Sequence, residues 1–184
     1  MKKALVFLAE GFEEIEAVSV IDVLRRGDVK THVVSITGEY VVKGAHDLGV
    51  EADSLFEDTD LHDAGILILP GGGPGSNNLN RHDGLKAIIS DYHSKGKWIA
   101  AICAAPLVFG GMGLLQGKKA TCFPGIESKL TGAILQPGPV VVDGNIITGK
   151  GPGFAAAFGL QIVQELQGRA KADEVAANML IERS

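Results

Sequence analysis

Three short apolar runs constrain the fold of this 184-residue chain more than any other feature of its sequence. Leu5 to Leu8, Ile66 to Leu69 and Trp98 to Ile102 are apolar without the alternation that marks a strand with one face in water. Strands covered on both faces have this composition, and they occur in parallel sheets with helices on either side. The sequence therefore predicts an α/β fold with a doubly wound, mostly parallel sheet.

The predicted elements alternate along the chain without a break in composition, so we expect one domain over residues 1–184. The predicted strands, with a hairpin near the end, are Lys3 to Ala9, Thr31 to Ile36, Ala64 to Leu69, Lys97 to Ile102 and the pair joined by Asp143-Gly144-Asn145. The predicted helices are Glu14 to Arg26, Asp83 to Ser94, Ala105 to Leu115, Phe154 to Leu166 and Ala172 to Ile181. Ligands of such sheets bind beyond the carboxyl ends of the strands. Three unusual segments fall at those ends: Glu10 to Glu16, Pro70 to Gly75 and Cys103 to Pro106.

The charge and the apolar runs argue against nucleic acid and membrane as partners. The chain has 17 basic and 22 acidic residues, so it has no basic field for phosphates or anionic lipids. The apolar run after Lys3 is too short for a secretory signal, and no run approaches the ~20 residues of a membrane-spanning helix. We expect a cytoplasmic protein in which Cys103 and Cys122 are reduced thiols.

The familiar cofactor motifs are absent. The run Gly71-Gly72-Gly73-Pro74-Gly75 is followed by Ser76 where a dinucleotide fingerprint needs glycine or alanine, and Pro74 is expected to disturb the helix start. No Gly-Lys pair precedes the serine or threonine of a phosphate-binding loop, and no histidine or cysteine pair has zinc-ligand spacing. The sequence predicts neither a cofactor nor a metal.

Cys103 stands where a predicted strand turns directly into a predicted helix. An apex residue at such a turn is held in a strained conformation, which needs small neighbours two residues away. Ala101 and Ala105 meet this need, so the pattern predicts a nucleophile elbow with cysteine as the nucleophile. A helix N-terminus favours anions, which predicts a thiolate at neutral pH and a lower pKa for Cys103 than for Cys122. The alternative is an inert buried cysteine.

Glu16 lies on the apolar face of the first predicted helix, between Val20 and Val23 at about 100° per residue. A carboxylate there is costly unless it is protonated or partnered, so burial should raise its pKa. Glu16 is therefore a candidate proton donor and acceptor for an elbow thiol, unless it reaches water at the rim. Glu13 and Glu14 are explained as first-turn charges, with Glu14 on the polar face.

Two glycine-containing turns fall at the same sheet edge. The backbone N–H groups of the glycines in Pro70-Gly71-Gly72-Gly73, together with the N–H of Ala104, could form an oxyanion hole. Gly151-Pro152-Gly153 makes a second tight turn, which leads into Phe154. The alternative for either segment is that its glycines only allow the chain to turn and bind no ligand.

Four motifs in order resemble the ThiJ/PfpI superfamily, in the branch of the parkinsonism-associated protein deglycase and bacterial YajL-like proteins: Glu13-Glu14-Ile15-Glu16, Leu69-Pro70-Gly71-Gly72, Ala101-Ile102-Cys103-Ala104-Ala105-Pro106 and Gly151-Pro152-Gly153. The resemblance runs from Lys3 to about Met179. It implies a flavodoxin-like sandwich, a homodimer, and an oxidation-prone Cys103 that is hydrogen-bonded to a protonated Glu16. It also implies a backbone anion site at Gly72 and Ala104.

The chain departs from the family pattern at three places. Phe123 replaces the histidine that animal members carry near the cysteine, His46 stands where the family often has arginine, and Phe154 replaces a small polar residue. Phe123 leaves a Cys-His pair without support at that position, and the changes at His46 and Phe154 are expected to alter the pocket mouth. The remaining predicted pocket residues are Gly73, Gly151 and Pro152.

Two functions follow from the resemblance. In the first, the Cys103 thiolate adds to a small aldehyde or dicarbonyl, or to a glycated protein, and Glu16 shuttles the proton without a cofactor. In the second, the protein is an oxidative-stress sensor or redox-regulated chaperone that uses oxidation of Cys103. The same two residues would serve both functions.

Overall fold

The computed structural model describes residues 3–182 and shows a parallel sheet with helices on both faces. The strands are β1 Lys3–Leu8, β2 Lys30–Ser35, β3 Val41–Lys43, β4 Gly49–Glu51, β5 Ser54–Leu55, β6 Ile66–Leu69, β7 Trp98–Ile102, β8 Lys119–Ala120, β9 Ile134–Leu135, β10 Val140–Asp143 and β11 Ile146–Gly149. The helices are α1 Glu14–Arg26, α2 Gly73–Arg81, α3 Asp83–Ser94, α4 Pro106–Gly111, α5 Ala155–Gln167 and α6 Arg169–Asn178.

The central sheet has seven strands in the order β10-β11-β7-β6-β1-β2-β5. Its pairs are parallel except for the hairpin of β10 and β11 at one edge, which confirms the predicted fold class and hairpin. The chain goes from β1 outward to β2 and later returns to β6 on the other side of β1. The carboxyl ends of β1 and β6 therefore border the crevice where ligands of such sheets bind.

Two apolar clusters cover the two faces of the sheet. Alternate residues of β1 divide between them: Ala4, Val6 and Leu8 face the cluster that includes α1, α5 and α6, while Leu5 and Phe7 face the cluster that includes α3 and α4. All five side chains are 0% exposed, which explains why the strand shows no polar alternation.

Most predicted boundaries agree with the structure within two residues, and two helices differ by more. The helix predicted over Ala105 to Leu115 ends at Gly111, because Gly113 has a positive φ of 73° that interrupts the helix. The last helix begins at Arg169 rather than Ala172, directly after Gly168.

The expectation that Pro74 disturbs a helix start is wrong. Helix α2 begins at Gly73 with Pro74 in its first turn, where a missing N–H leaves no hydrogen bond unmade. The strands β3, β4, β5, β8 and β9 were not predicted, because two or three residues are too few to show a period.

Candidate functional site

Cys103 lies at the end of β7 on a strained turn. Its φ is +64°, a left-handed conformation that residues other than glycine seldom adopt, and its N–H donates to the carbonyl of Gly149 at 2.9 Å. Ala101 and Ala105 are both fully buried, so larger side chains there would have no room. The elbow predicted from the sequence is present in the structure.

The Glu16 carboxyl reaches this elbow from α1. Glu16 is 0% exposed, and its Oε2 accepts a hydrogen bond from the Gly71 N–H at 2.8 Å. Its Oε1 is buried without a hydrogen bond of ordinary geometry, and the neighbouring Cys103 side chain interacts with the carboxyl. The structure therefore brings together the two residues that the sequence marks as the reactive pair.

Gly71 permits this close approach. A Cβ at position 71 would lie 2.6 Å from the Cys103 Cβ and would overlap Glu16 Oε2. Any side chain at this position would push the carboxyl and the thiol apart, so glycine is required by contact rather than by turn geometry.

The pKa values of the pair are coupled. Burial raises the pKa of Glu16 to about 7, against the lowering effect of Cys103 and the Gly71 N–H. Burial, followed by the negative charge and hydrogen bond of Glu16, raises the pKa of Cys103 to about 12. Each side chain therefore affects the pKa of the other, and the protonation of the two side chains is linked.

The expectation of a simple thiolate at neutral pH is wrong. The helix after Cys103 has only six residues and begins at Pro106, so its dipole does not overcome burial and the nearby carboxylate. Burial and the Glu16 charge raise the pKa of Cys103 at least as much as burial raises that of Cys122, so the expected lower pKa of Cys103 is not found.

Two backbone N–H groups face the Cys103 sulfur. Hydrogen bonds from Gly72 and Ala104 act to lower the pKa of the thiol, which places both predicted donors at the reactive atom. Gly72 has a φ of +90°, and a Cβ there would lie 2.7 Å from the Glu13 nitrogen. Only glycine can adopt this backbone conformation and fit in this space, and both are needed for the Gly72 N–H to point at the Cys103 sulfur.

The remaining predicted pocket residues lie at different distances from this centre. The Phe123 N–H donates to the Cys103 carbonyl at 2.8 Å, and its half-exposed ring borders Gly151, where a Cβ would lie 3.2 Å from the ring. Pro152 begins a short 3-10 turn after Gly151. Gly73 has open space around it as the first residue of α2.

His46 and Glu14 form a separate polar cluster at the start of α1. Glu14 Oε1 accepts from the His46 backbone N–H at 2.6 Å, and its Oε2 lies 2.9 Å from His46 Nδ1. Glu14 is 6% exposed, so its placement on the polar face of the helix is corrected: its carboxylate caps a turn of the chain. The ligand atoms of Glu13, Glu14 and His46 lie within 4.8 Å of one another and are the one such group in residues 3–182 that could hold a metal ion.

Cys122 belongs to the opposite side of the sheet. Its side chain packs in the cluster with α3 and α4, whereas Cys103 packs in the cluster with α1 and α5. Burial, followed by the charge of Glu127, raises the pKa of Cys122 to about 11. The two thiols therefore face different surroundings although their backbones are neighbours.

These features define a class: an α/β sandwich whose elbow cysteine is paired with a buried glutamate at the carboxyl edge of the sheet. The chain belongs to the DJ-1/PfpI family, whose model matches residues 2–165. It is 37% identical to protein dj-1beta of Drosophila melanogaster, over 98% of this chain and 97% of that protein. It is 39% identical to DJ-1 homolog B of Arabidopsis thaliana over 98% of this chain, and it spans only 42% of that relative's length.

The structure is similar to solved members of the family. Oxidized DJ-1 of Toxoplasma gondii has a TM-score of 0.95 at 34% identity, with 100% of both chains covered. DJ-1beta of Drosophila melanogaster has a TM-score of 0.94 at 37% identity, with 99% of both chains covered. No helix in the described part of the chain is long and apolar enough to cross a membrane.

Proposed function

We propose that this protein converts small reactive dicarbonyls to hydroxy acids without a cofactor, with Cys103 as nucleophile and Glu16 as proton shuttle. One observation carries the proposal: a carboxyl that is 0% exposed, with one oxygen unpartnered, lies beside a thiol on a strained elbow. A buried group whose pKa is raised to about 7 can both accept and donate a proton at neutral pH.

The first step is addition of Cys103 to the aldehyde carbon. The sulfur–carbon bond forms as the thiol proton passes to Glu16 and the carbon–oxygen double bond becomes single. Glu16 then gives that proton to the resulting oxyanion, which completes the hemithioacetal and leaves Glu16 as a carboxylate. The developing negative charge on that oxygen is stabilised by backbone N–H groups, for which Gly72 and Ala104 are the candidates.

The second step moves hydrogen between the two carbons. Glu16 removes the proton from the former aldehyde carbon and returns it to the neighbouring carbon, while the hydroxyl proton of the hemithioacetal passes to the oxygen on that neighbouring carbon. The product is a 2-hydroxy thioester on Cys103. Water then cleaves the thioester, releasing a hydroxy acid and the thiol. One carbon is oxidised and its neighbour is reduced, so no external oxidant or reductant is needed.

The test is turnover of methylglyoxal and glyoxal by wild type, Cys103→Ser and Glu16→Gln, with Cys122→Ser as the matched control. Glu16→Gln keeps the hydrogen bond from Gly71 and cannot exchange a proton, so we expect its kcat to fall by roughly 10²-fold or more. Cys122→Ser should retain activity, because its side chain packs on the other face of the sheet. Wild-type turnover by Glu16→Gln would refute proton shuttling.

A second candidate function is oxidation sensing by Cys103. The observation that favours it is the separation of the two thiols onto opposite faces of the sheet, which leaves an oxidised Cys103 without a thiol to close a disulfide on its own side. Such a sulfur proceeds to sulfinic acid when peroxide is the oxidant. The solved Toxoplasma gondii relative is an oxidized protein, which is in keeping with this chemistry.

Peroxide treatment followed by peptide mass spectrometry separates the two functions. Sensing predicts sulfinate at Cys103 in both wild type and Glu16→Gln, with dicarbonyl turnover absent from both. Turnover that depends on Glu16, at physiological dicarbonyl concentration, contradicts the sensor as the principal function.

We also propose that the protein is a homodimer through the first half of α1. Ile15 and Val18 are 57% and 49% exposed there, and Leu48, which is 63% exposed, lies on the turn that Glu14 caps. Apolar side chains exposed together are typical of an interface. Light scattering should give twice the 19.2 kDa chain mass, and Val18→Glu should halve it while Val142→Glu does not. A wild-type monomer at micromolar concentration would contradict the dimer.

Residues 1–184 are proposed as one domain, which two continuous apolar clusters support. A cytoplasmic location is proposed from two cysteines that are free rather than paired.

A further inference from the structure

We propose that Glu13, Glu14 and His46 form a binding site for a divalent transition-metal ion such as Zn²⁺. The ligand atoms of these three side chains all lie within 4.8 Å of one another. The two glutamates lie at the start of α1, and the histidine lies on the turn between β3 and β4. We refer to the three side chains as the His46 cluster. The proposal does not depend on the reaction at Cys103.

The distances within the His46 cluster suit the coordination of one metal ion. His46 Nδ1 lies 2.9 Å from Glu14 Oε2 and 3.8 Å from Glu13 Oε1. Zinc bonds of about 2.0–2.2 Å at tetrahedral angles place neighbouring ligand atoms about 3.3 Å apart. One observed distance is slightly shorter than this value and the other is slightly longer. Small rotations of the Glu13 side chain and of the His46 ring, which is 70% exposed, would bring the atoms to this spacing.

Hydrogen bonds fix the turn that carries His46 against the start of α1. The Ala45 N–H donates to the Phe12 carbonyl at 2.8 Å, and the His46 N–H donates to Glu14 Oε1 at 2.6 Å. The Leu48 N–H donates to the same carboxylate oxygen at 3.4 Å, so Oε1 is held by the backbone and Oε2 faces the imidazole ring. The ligand atoms are therefore positioned by the fold, and little conformational freedom would be lost when a metal binds.

The two carboxylates have little positive charge near them. The Glu13 and Glu14 side chains are 14% and 7% exposed, and among residues 3–182 the one basic side chain within 4 Å of either is His46. The Glu13 carboxylate accepts no hydrogen bond within this part of the chain, and 3.8 Å to His46 Nδ1 is too long for one. The N-terminus of α1 contributes the equivalent of about half a positive charge against two negative charges. A divalent cation would supply the missing charge to groups that water reaches poorly.

The donor atoms select the kind of ion. An imidazole nitrogen with carboxylate oxygens suits Zn²⁺ and neighbouring transition metals, whereas Mg²⁺ and Ca²⁺ prefer oxygen ligands alone. Three protein ligands leave at least one coordination position for water or a small anion. The sequence shows no zinc-ligand spacing here because His46 is 32 positions from Glu14, and the fold brings the two side chains together.

The first test is calorimetric titration of the intact protein with Zn²⁺. We expect one ion to bind per 19.2 kDa chain, with a Kd below about 100 µM. An excess of Mg²⁺ should not displace the ion, because the imidazole ligand favours zinc. Weaker binding of Zn²⁺ than this, or displacement by Mg²⁺, would overturn the proposal.

The absorption spectrum with Co²⁺ shows which atoms bind the metal. Co²⁺ takes ligands similar to those of Zn²⁺, and a cobalt–thiolate bond adds an intense charge-transfer band in the near ultraviolet. We expect visible cobalt bands without this thiolate band, because neither Cys103 nor Cys122 belongs to the His46 cluster. A thiolate band from the bound ion would place it at a cysteine and overturn the proposal.

Ligand variants assign the site. His46→Gln and Glu13→Gln should each weaken Zn²⁺ binding at least about tenfold, because loss of a residue that merely supports a ligand already costs about 10–100-fold. Circular dichroism should show that both variants keep the fold, since neither change removes the backbone hydrogen bonds to Glu14. Glu10→Gln and His62→Gln, which change an exposed carboxyl and an exposed imidazole outside the cluster, are the controls and should bind Zn²⁺ as wild type does. Wild-type affinity in either ligand variant would contradict the proposed site.

Discussion

Replacing Glu16 with glutamine should change how the stability of the protein depends on pH. Glu16 is fully buried, and burial raises its pKa from 4.5 to about 7. The folded protein therefore binds a proton where the unfolded chain has already lost it. Glu16 contributes its full proton-linked stability below about pH 4.5, and this contribution is lost as the pH rises to about 7.

The size of this effect follows from the shift. Each pKa unit corresponds to about 1.4 kcal/mol, so a rise from 4.5 to about 7 corresponds to about 3 kcal/mol of unfolding free energy. Glu16→Gln keeps the shape and the acceptor for the Gly71 N–H but does not ionise. At pH 4.5 the variant should be equal to or slightly less stable than wild type. Near pH 7.5 it should be the more stable protein.

The assay is urea unfolding of both proteins across this pH range at one protein concentration. The difference between the two unfolding free energies cancels every other titrating group, so it isolates Glu16. Glu51→Gln, an exposed carboxyl, is the matched control and should follow wild type within about 0.5 kcal/mol. A wild-type minus variant difference that does not change with pH would refute the raised pKa and, with it, the proton-shuttle argument.

Three further outcomes are expected from the same geometry. Burial, followed by the charge of Glu16, raises the pKa of Cys103 to about 12, so Glu16→Gln should lower that pKa in a titration of thiolate absorbance, and a rise would contradict the effect of the charge. Gly71→Ala should lower the free energy of unfolding by about 2 kcal/mol or more and abolish dicarbonyl turnover, because the new Cβ would lie 2.6 Å from the Cys103 Cβ. Gly73→Ala is the control and should change neither stability nor turnover, because no atom lies within 4 Å of its Cβ. Hydrogen bonds from His46 outweigh burial and lower the pKa of Glu14, so the stability lost in Glu14→Gln should be largest above about pH 4.5 and shrink as the pH falls; a loss that grows toward acid pH would contradict this.

Local chain geometry made part of the site predictable. A residue held between Ala101 and Ala105 at the junction of strand and helix can take few conformations, and the observed φ of +64° at Cys103 is one of them. The face of a helix depends on a fixed rotation per residue, so Glu16 could be placed among apolar residues from its position alone. Strands that are apolar throughout must be buried on both faces, and an apolar cluster does cover each face of the sheet.

The rest depends on contacts between residues that are far apart in the sequence. From its position in the first turn of α1, Glu14 cannot be distinguished from an ordinary exposed charge. Its carboxylate is buried because it accepts hydrogen bonds from the N–H groups of residues 46 and 48. The helix dipole argued for a low pKa at Cys103, but burial and Glu16, 87 positions earlier in the sequence, reverse the direction. The sequence by itself determined which residues could react and which strands are buried, since both depend on neighbours along the chain. Only the tertiary structure decided protonation and the side of the sheet on which each thiol lies, because solvent exclusion and charge act through space.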